Sequence, residues 1–460
     1  MTKRIAVIGS GYVGTVVSAC LAHIGHQVIG VENDEAKLEA LTDGRAPFHE
    51  RGLDELIKAG LQADRLCFTS RMALAMDESE LVFICVGTPS RPDGKADMSA
   101  MLEVAQAAAP HLKHPHTFIN KSTVPIGSGR WLSSVIEDAA PDQRAASLVR
   151  VTSNPEFLRE GTAVSDYLHP DRVVVGGDDA GAVDDLVEIY QPILDQSFPG
   201  SSRRGPVPLV RTDLMTAEMI KYAANAFLAT KISFANEMSR FCDLVGADIQ
   251  TVTAGIGLDQ RIGPRFLDAG LGWGGSCFTK DVLAMITTAA EYGYQARLLE
   301  AAMAINNDQR HLVVERLLRH LKNLRGARIA LLGLSYKPGT DDLRDSPALD
   351  IAVQVAERGA FVSAYDPVVK RLPAGFQVRI ADDAYAAAAG ADAVVVATEW
   401  PQFLDLDFGR LRSVTSGDLL FDGRNCLSPR IVESAGFVYE GVGRRVPGRA
   451  GRAPAIEMTR

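Results

Sequence analysis

The chain opens with short aliphatic runs separated by stretches of helical periodicity. Arg4–Ile8, Gln27–Val31, Leu66–Thr69, Leu81–Val86, Thr117–Asn120, Leu148–Thr152 and Arg172–Val175 read as buried strands. Continuous apolar runs of this length, with helices between them, predict βαβ units and a mainly parallel sheet. At Thr212 the pattern changes. Residues 212–245 contain neither glycine nor proline and keep a helical period. Thr212 is the expected N-cap, Asp213 and Glu218 sit near the positive end, and Gly246 is the expected stop. One helix of about 33 residues spans about 50 Å, long enough to join two domains or to line a subunit interface. Beyond Asn323 the first pattern returns: Arg328–Leu332, Phe361–Tyr365, Ala393–Ala397 and Leu419–Phe421 are four more strands. The segment from Arg444 is rich in Arg, Gly and Pro and reads as a solvated, flexible tail. The expected division is an α/β domain over 1–205, a helical domain over 206–310, a second α/β domain over 311–443 and the tail over 444–460.

Composition narrows the classes of function. The 460 residues are 47% hydrophobic and 23% charged, an ordinary globular balance, with net charge −9. An acidic chain disfavours nucleic acid as a partner. No apolar run approaches the roughly 18 residues of a membrane span, and the run Ile5–Ile8 is too short for a signal segment. Six cysteines without a CxxC pair exclude a disulfide scaffold and a zinc ribbon. A cytoplasmic protein with free thiols is expected, and the question becomes whether one thiol is there for chemistry.

Gly9-Ser10-Gly11-Tyr12-Val13-Gly14 is a GxGxxG directly after a strand and at the start of a helix. The first glycine permits the tight turn, the second lets backbone approach a pyrophosphate, and the third lets helix and strand pack closely. The helix N-terminus then offers unpaired N–H groups to phosphates. Glu32 ends the second strand, where a carboxylate takes ribose hydroxyls and repels a 2′-phosphate, so NAD is expected rather than NADP. The fold class that follows is α/β, with two Rossmann-like, doubly wound parallel-sheet domains joined by a long central helix. Val86–Ser90 and Ser122–Pro125 each follow a strand, where parallel sheets bind ligands, though each is equally an ordinary turn.

Lys221 and Asn225 share one helical face, and by themselves they read as well as snorkelling groups. The stretch Gly270 to Asp281 is more telling. Glycines and Ser276 strip side chains from around Cys277, which sits near a helix N-terminus with Lys280 close by in sequence. Both features lower a thiol pKa from about 8.5 and make Cys277 a candidate nucleophile for a carbonyl. Cys20, Cys67, Cys85, Cys242 and Cys426 sit mostly in apolar strand or helix settings and read as packing. His111, His114 and His116 look like a metal cluster, but Pro115 breaks the spacing and no carboxylate completes a site. They read as a surface loop at a helix end, and no metal is expected. Lys337, Arg344 and Arg424 lie on loops after strands of the second α/β domain, where they are either solvated or bind an anion.

Taken in order, GSGYVG, VGTPS, KSTVP, NPEFLREGTA, KYAANAFLATKISFANE, GIGLDQRIGPRFLDAGLGWGGSCFTKD and YKPGTDDLRDSPA resemble the nucleotide-sugar dehydrogenases of the UDP-glucose/GDP-mannose dehydrogenase family over nearly the whole chain. RIGPRFL followed by GGSCF is closer to the UDP-glucose branch than to the GDP-mannose or UDP-N-acetylmannosamine branches. The departure is Thr279, where the family usually has proline. The resemblance implies a four-electron oxidation of UDP-glucose to UDP-glucuronate using two NAD, through a thiohemiacetal and then a thioester on Cys277. It implies that Lys221 and Asn225 stabilise an oxyanion and that Asp281 and Glu160 position water and shuttle protons, with Thr123 in support. It further implies cofactor contacts from Gly9, Gly11, Tyr12, Val13, Gly14, Glu32, Lys37, Thr88, Thr123, Glu160, Lys280 and Arg344. Implied substrate contacts are Glu156, Phe157, Leu158, Arg159, Glu160, Lys221, Asn225, Phe266, Leu267, Asp268, Ala269, Gly270, Gly274, Lys337 and Arg424. Arg261 is implied to reach the substrate of a neighbouring subunit, so a homodimer or higher homo-oligomer is expected. The same chemistry on UDP-N-acetylmannosamine or GDP-mannose is the alternative. A non-catalytic nucleotide-sugar-binding protein is another, and intact Cys277, Lys221, Asn225 and Asp281 count against it.

Overall fold

The computed structural model describes residues 2–201 and 205–444; apart from Arg444, the expected tail lies outside the described residues. The first sheet contains β1 (Arg4–Ile8), β2 (Gln27–Val31), β3 (Leu66–Thr69), β4 (Leu81–Ile84), β5 (His116–Asn120), β6 (Val149–Ser153), β7 (Val173–Gly177) and β8 (Leu209–Thr212). Their order is β3-β2-β1-β4-β5-β6-β7-β8. All neighbours are parallel except β6 and β7. The alternation along β1 shows why the strand is apolar from Ile5 to Ile8. Ile5 and Val7 enter one buried cluster with Leu21 and Phe83. Ala6 and Ile8 enter another with Val82, Ile84 and Phe118. A strand covered by helices on both faces has no polar side to show.

The second sheet contains β9 (Arg328–Leu332), β10 (Phe361–Tyr365), β11 (Val378–Ile380), β12 (Ala393–Val396), β13 (Leu419–Asp422) and β14 (Val438–Gly441). It is wholly parallel in the order β11-β10-β9-β12-β13-β14. Both sheets therefore show the 3-2-1-4-5-6 winding of a dinucleotide-binding fold, with a switch point where the order reverses. The hydrophobic pattern does not reveal β8, β11 and β14. All three are edge strands with mixed burial, so they lack the unbroken apolar run of a central strand.

Register decides where the loops emerge. Ile8 lies beside Val31 and Ile84, Ile84 beside Asn120, and Asn120 beside Ser153. The segments starting at Gly9, Glu32, Cys85, Lys121 and Asn154 thus leave one edge of the sheet together. In the second sheet Leu332, Tyr365, Val396 and Asp422 are aligned in the same way, which gathers the segments starting at Gly333, Asp366, Ala397 and Gly423.

The long helix runs Leu214–Val245, 32 residues. Its cap differs from the expectation. Thr212 ends β8, and Asp213 is the residue whose carboxylate accepts the Thr216 N–H at 2.9 Å and its hydroxyl at 2.7 Å. Asp outranks Thr as a cap acceptor, and β8 already uses Thr212. Gly246 ends the helix at φ +75°. By packing, the chain forms two units, one up to Ala224 with Leu283–Tyr294, the other Asn225–Val282 with the residues from Gln295 on. The helices Leu214–Val245 and Gly275–Glu291 each contribute residues to both.

Candidate active site

In the first unit the glycine turn is shaped by contact. A Cβ on Gly14 would lie 1.8 Å from the Gly9 carbonyl oxygen, and one on Gly9 would meet Val86 at 2.9 Å. A Cβ on Gly11 would meet nothing within 4 Å, so open space lies over the backbone that heads the helix Tyr12–His23. Glu32 is held by backbone: it accepts from Ser10 N at 3.2 Å, Asn33 N at 2.9 Å and Asp34 N at 3.0 Å. A clear approach to the helix N-terminus beside an anchored carboxylate fits a dinucleotide with an unmodified ribose. Val13 is half-buried and Lys37 is exposed on the next helix.

Neighbouring loops are cross-linked around this turn. Thr88 Oγ1 donates to the Thr123 carbonyl at 2.6 Å, and Ser122 Oγ donates to the Val86 carbonyl at 2.8 Å. The Tyr12 hydroxyl donates to Glu50, and Gly161 N–H reaches both the Tyr12 oxygen (3.0 Å) and Glu50 Oε2 (2.7 Å). Burial, then the Glu50 bond, pushes the Tyr12 phenol up, with Glu160 adding to the same direction. This clasp draws the 156–161 segment to the head of the glycine helix.

On that segment Glu156 pairs with Lys221 at 2.7 Å, both side chains buried. Burial pushes the Glu156 carboxyl up, but Lys221, the Leu158 N–H and Lys121 outweigh it and hold it below the ordinary carboxylate value. Phe157 carries the Arg172 guanidinium 3.6 Å from its ring centre. Arg159 forks onto Asp166 at 2.6 and 3.0 Å. Thr123 and Lys221 line one small recess together with Ser122, Val124, Ser153, Pro155, Glu218 and Tyr222.

In the second unit the glycines before Cys277 do more than clear space for it. A Cβ on Gly272 would press the Asn306 side chain at 2.6 Å, on Gly274 the Asp345 carbonyl at 2.1 Å, and on Gly275 the Tyr336 ring at 2.6 Å. Backbone packing demands them. Gly275 then starts the helix Gly275–Glu291, placing Cys277 in its first turn, exposed, with Ser276 Oγ 3.6 Å from its sulfur. Asp281 is buried and bridges two groups: Asn225 Nδ2 donates to it at 2.6 Å and Lys280 Nζ at 2.5 Å. Lys280 thus engages Asp281. Thr279 donates its hydroxyl to Asp345, which also accepts from Arg310 at 2.7 Å.

The 266–270 segment is bound from several sides. Phe266 adopts φ +63°, Leu267 and Ala269 are buried, and burial pushes the Asp268 carboxyl up, helped by Glu399. Gly270 N–H donates to Asn236 at 2.8 Å and its carbonyl accepts from Gln309 at 2.8 Å. Arg424 is largely buried and spends its guanidinium on the carbonyls of Ala397 (2.8 Å) and Tyr336 (3.2 Å) and on Glu399 (3.3 Å). Lys337 Nζ lies 5.5 Å from the Tyr336 ring centre. Arg344 forks onto Asp342 and Arg261 onto Asp259, both arginines exposed.

Two expectations need correction. His116 is not on a surface loop: it begins β5, is buried, bonds the Met76 carbonyl at 3.0 Å and stacks on His114 at 4.2 Å. The five remaining cysteines are not all packing residues, because Cys67 is exposed and Cys426 half-buried. All five thiols are nevertheless pushed up, by burial first. Residues missed in the sequence are buried polar groups: Glu50, Lys121, Asn154, Glu218, Asn236 and Asn306. Their partners are remote in sequence, so no local pattern marks them. Lys121 is the extreme case, fully enclosed, donating to Asn154 at 2.9 Å beneath the Tyr167 and Tyr190 rings. Burial pulls it down to about 8.

A dinucleotide-binding unit, a second doubly wound unit and a thiol at a helix head define an NAD-dependent oxidoreductase. The comparisons specify which kind. Residues 3–194 match the NAD-binding domain of the UDP-glucose/GDP-mannose dehydrogenase family, 215–308 its central domain and 330–429 its UDP-binding domain. The chain belongs to that family. It is 44% identical to a UDP-glucose 6-dehydrogenase of Rhizobium meliloti, over 96% of this chain and 99% of that one. It is 42% identical to a UDP-glucose 6-dehydrogenase of Pseudomonas aeruginosa, over 98% and 99%. Among solved structures, a UDP-glucose dehydrogenase from Pyrobaculum islandicum matches with TM-score 0.87 and 35% identity, covering 96% of this chain and 98% of that one. A UDP-D-ManNAc dehydrogenase from Pyrococcus horikoshii matches with TM-score 0.83 and 26% identity, over 96% and 99%.

Proposed function

We propose that this protein oxidises UDP-glucose to UDP-glucuronate in two NAD-dependent steps, with Cys277 as the covalent nucleophile. The observation that carries the reading is an exposed thiol in the first turn of a helix that also carries the buried Asp281, which holds the buried Asn225 and the half-buried Lys280. The relatives named for UDP-glucose, at more than 40% identity over nearly their whole length, favour that sugar over UDP-N-acetylmannosamine or GDP-mannose. When bound, NAD supplies the hydride acceptor for both steps; Gly9, Gly11, Gly14 and Glu32 hold it, with Tyr12, Val13, Lys37, Thr88, Arg344 and Lys280 around it.

The chain's own groups do the rest. The first oxidation takes a hydride from C6 and the hydroxyl proton, leaving an aldehyde. The Cys277 thiolate then bonds to C6, and Lys221 and Asn225 stabilise the resulting oxyanion by charge and N–H donation. One Asn225 N–H is committed to Asp281, which orients the amide and leaves its other N–H for the substrate. The second oxidation takes the remaining C6 hydride and leaves a thioester. Water positioned by Asp281, Glu160 and Thr123 adds to C6, the C–S bond breaks and the thiol is restored. Holding the sugar through sulfur keeps the aldehyde from escaping between steps. Glu156, Phe157, Leu158, Arg159, Phe266, Leu267, Asp268, Ala269, Gly270, Gly274, Lys337 and Arg424 form the substrate's surroundings, with Arg424 acting through the carbonyls it braces.

The reading extends to the domains (1–205, 206–310 and 311–443), to a cytoplasmic setting suited to free thiols, and to a homodimer. Phe227, Phe234 and Phe241 recur every seventh residue along the long helix and are 65%, 45% and 59% exposed. An apolar heptad stripe of this kind suits a second copy, and Arg261, at 89% side-chain exposure, is accessible to it. The test is NADH formation with UDP-glucose, UDP-N-acetylmannosamine and GDP-mannose. Two NADH per UDP-glucose, with little turnover of the other two, is expected. One NADH with a released aldehyde would sink the thioester route.

A further inference from the structure

The recess beside Thr123 contains a carboxylate for which the proposed chemistry has no use. Glu218 is 3% exposed, sits one turn before Lys221 on the long helix, and lines the recess with Ser122, Thr123 and Lys221. Its Oε2 accepts the Gly127 N–H at 2.6 Å and its Oε1 accepts the Gly129 N–H at 2.8 Å. Those two N–H groups head the helix Ser128–Ala139, which follows immediately on Ser122–Pro125. A Cβ on Gly129 would come within 3.0 Å of Leu214 and 3.2 Å of Glu218 Oε1, so a side chain there would crowd both. A single side chain thus ties the segment bearing Thr123 to the helical turn bearing Lys221.

We infer that Glu218 is a positioning residue for the oxidation: its paired bonds to Gly127 and Gly129 set where Thr123 stands relative to Lys221. The inference rests on the function proposed above and deepens it. The charged groups around Glu218 are Lys221 on its own helix, Asp213 at the head of that helix and Arg130 on the facing one. Burial pushes its carboxyl up to about 7, against the pull of the two N–H bonds and Arg130. A group raised in this way favours the fold while protonated. That contribution is present below the ordinary value of 4.5 and is lost as pH rises through about 7. Above pH 7 the carboxylate therefore costs stability while its two bonds become charge-assisted and firmer. A glutamine avoids the cost but sets an NH2, itself a donor, where one of the two N–H groups now meets an oxygen, so the paired arrangement is lost.

Glu218→Gln in the full-length protein separates the possibilities through kcat and KM for UDP-glucose across pH 5.5–9 and thermal unfolding at both ends. Expected is a kcat lower by on the order of tenfold at pH 8.5, with KM within about twofold. The rise in wild-type activity centred near pH 7 is then absent from the variant, and Tm of variant minus wild type is larger at pH 8.5 than at 5.5. Unchanged kcat with an unchanged pH profile overturns the inference, as does a loss of kcat that follows a lower Tm at both pH values. Should Glu218→Gln fail to fold, Glu218→Asp decides: one methylene shorter, it is expected to give intermediate kcat, and full wild-type kcat refutes the role. A wild type that oxidises a different nucleotide sugar overturns the substrate reading alone, and the same comparison is then made on that sugar. A wild type inactive on all three refutes both.

Discussion

Lys221 carries its charge where an ammonium without a counter-charge is costly, and Glu156 supplies the countercharge at 2.7 Å. Removing one partner of such a pair leaves a buried charge, so Glu156→Gln is expected to cost about 3–5 kcal/mol at pH 7. The sign with pH follows from the direction of the shift. Glu156 is held below its ordinary 4.5, so its stabilisation is present above that value and is lost as pH falls through the folded one. Chemical denaturation of wild type and variant at pH 7 and pH 3.5 checks this, the gap narrowing at the lower pH. At Cys277 the prediction concerns chemistry. Cys277→Ala and Cys277→Ser are each expected to abolish the second NADH while leaving NAD affinity within about twofold, read by stoichiometry and by cofactor titration. Full turnover in Cys277→Ala would refute the nucleophile. Cys277 and Glu32 stand out in the sequence because their local settings are distinctive. Glu218, Glu50 and Lys121 do not, since what makes them notable is burial beside residues far away along the chain.

Among the elements, the glycine-rich turns show how sequence becomes site. Gly14 allows the helix Tyr12–His23 to sit against the Gly9 carbonyl, and a methyl group there would overlap backbone. Gly14→Ala is expected to destabilise by about 1–3 kcal/mol or more and to weaken NAD binding, both measurable by thermal shift with and without NAD. Gly274→Ala, whose Cβ would meet the Asp345 carbonyl at 2.1 Å, is expected to cost as much while displacing the Cys277 turn, lowering kcat rather than NAD affinity. Central strands were legible to within a residue or two because burial on both faces forces an unbroken apolar run. The edge strands β8, β11 and β14 were not. Nor was the true cap of the long helix, because β8 had first claim on Thr212.

For the whole molecule, the long helix gives the clearest prediction. A stripe of three phenylalanines at heptad spacing, exposed in the single chain, is costly to leave in water. Wild type is expected to sediment as a dimer, and replacing Phe227, Phe234 and Phe241 together by serine to leave a folded monomer. Sedimentation of a wild-type monomer at micromolar concentration would refute the homodimer.

The amino-acid sequence by itself determined two mainly parallel sheets, the long helix, the glycine turn and the acidic residue beside it, and it pointed to one thiol as the candidate for chemistry. These rest on local properties: hydrophobic period, glycine spacing and chain-neighbour charge. Tertiary structure alone decided the partners. It put Lys221 on Glu156, Asn225 and Lys280 on Asp281, Arg424 on carbonyls and Glu218 on two glycine N–H groups. The reason is physical: a buried polar group must find its complement wherever the fold brings one within about 3 Å, and sequence distance does not constrain that choice.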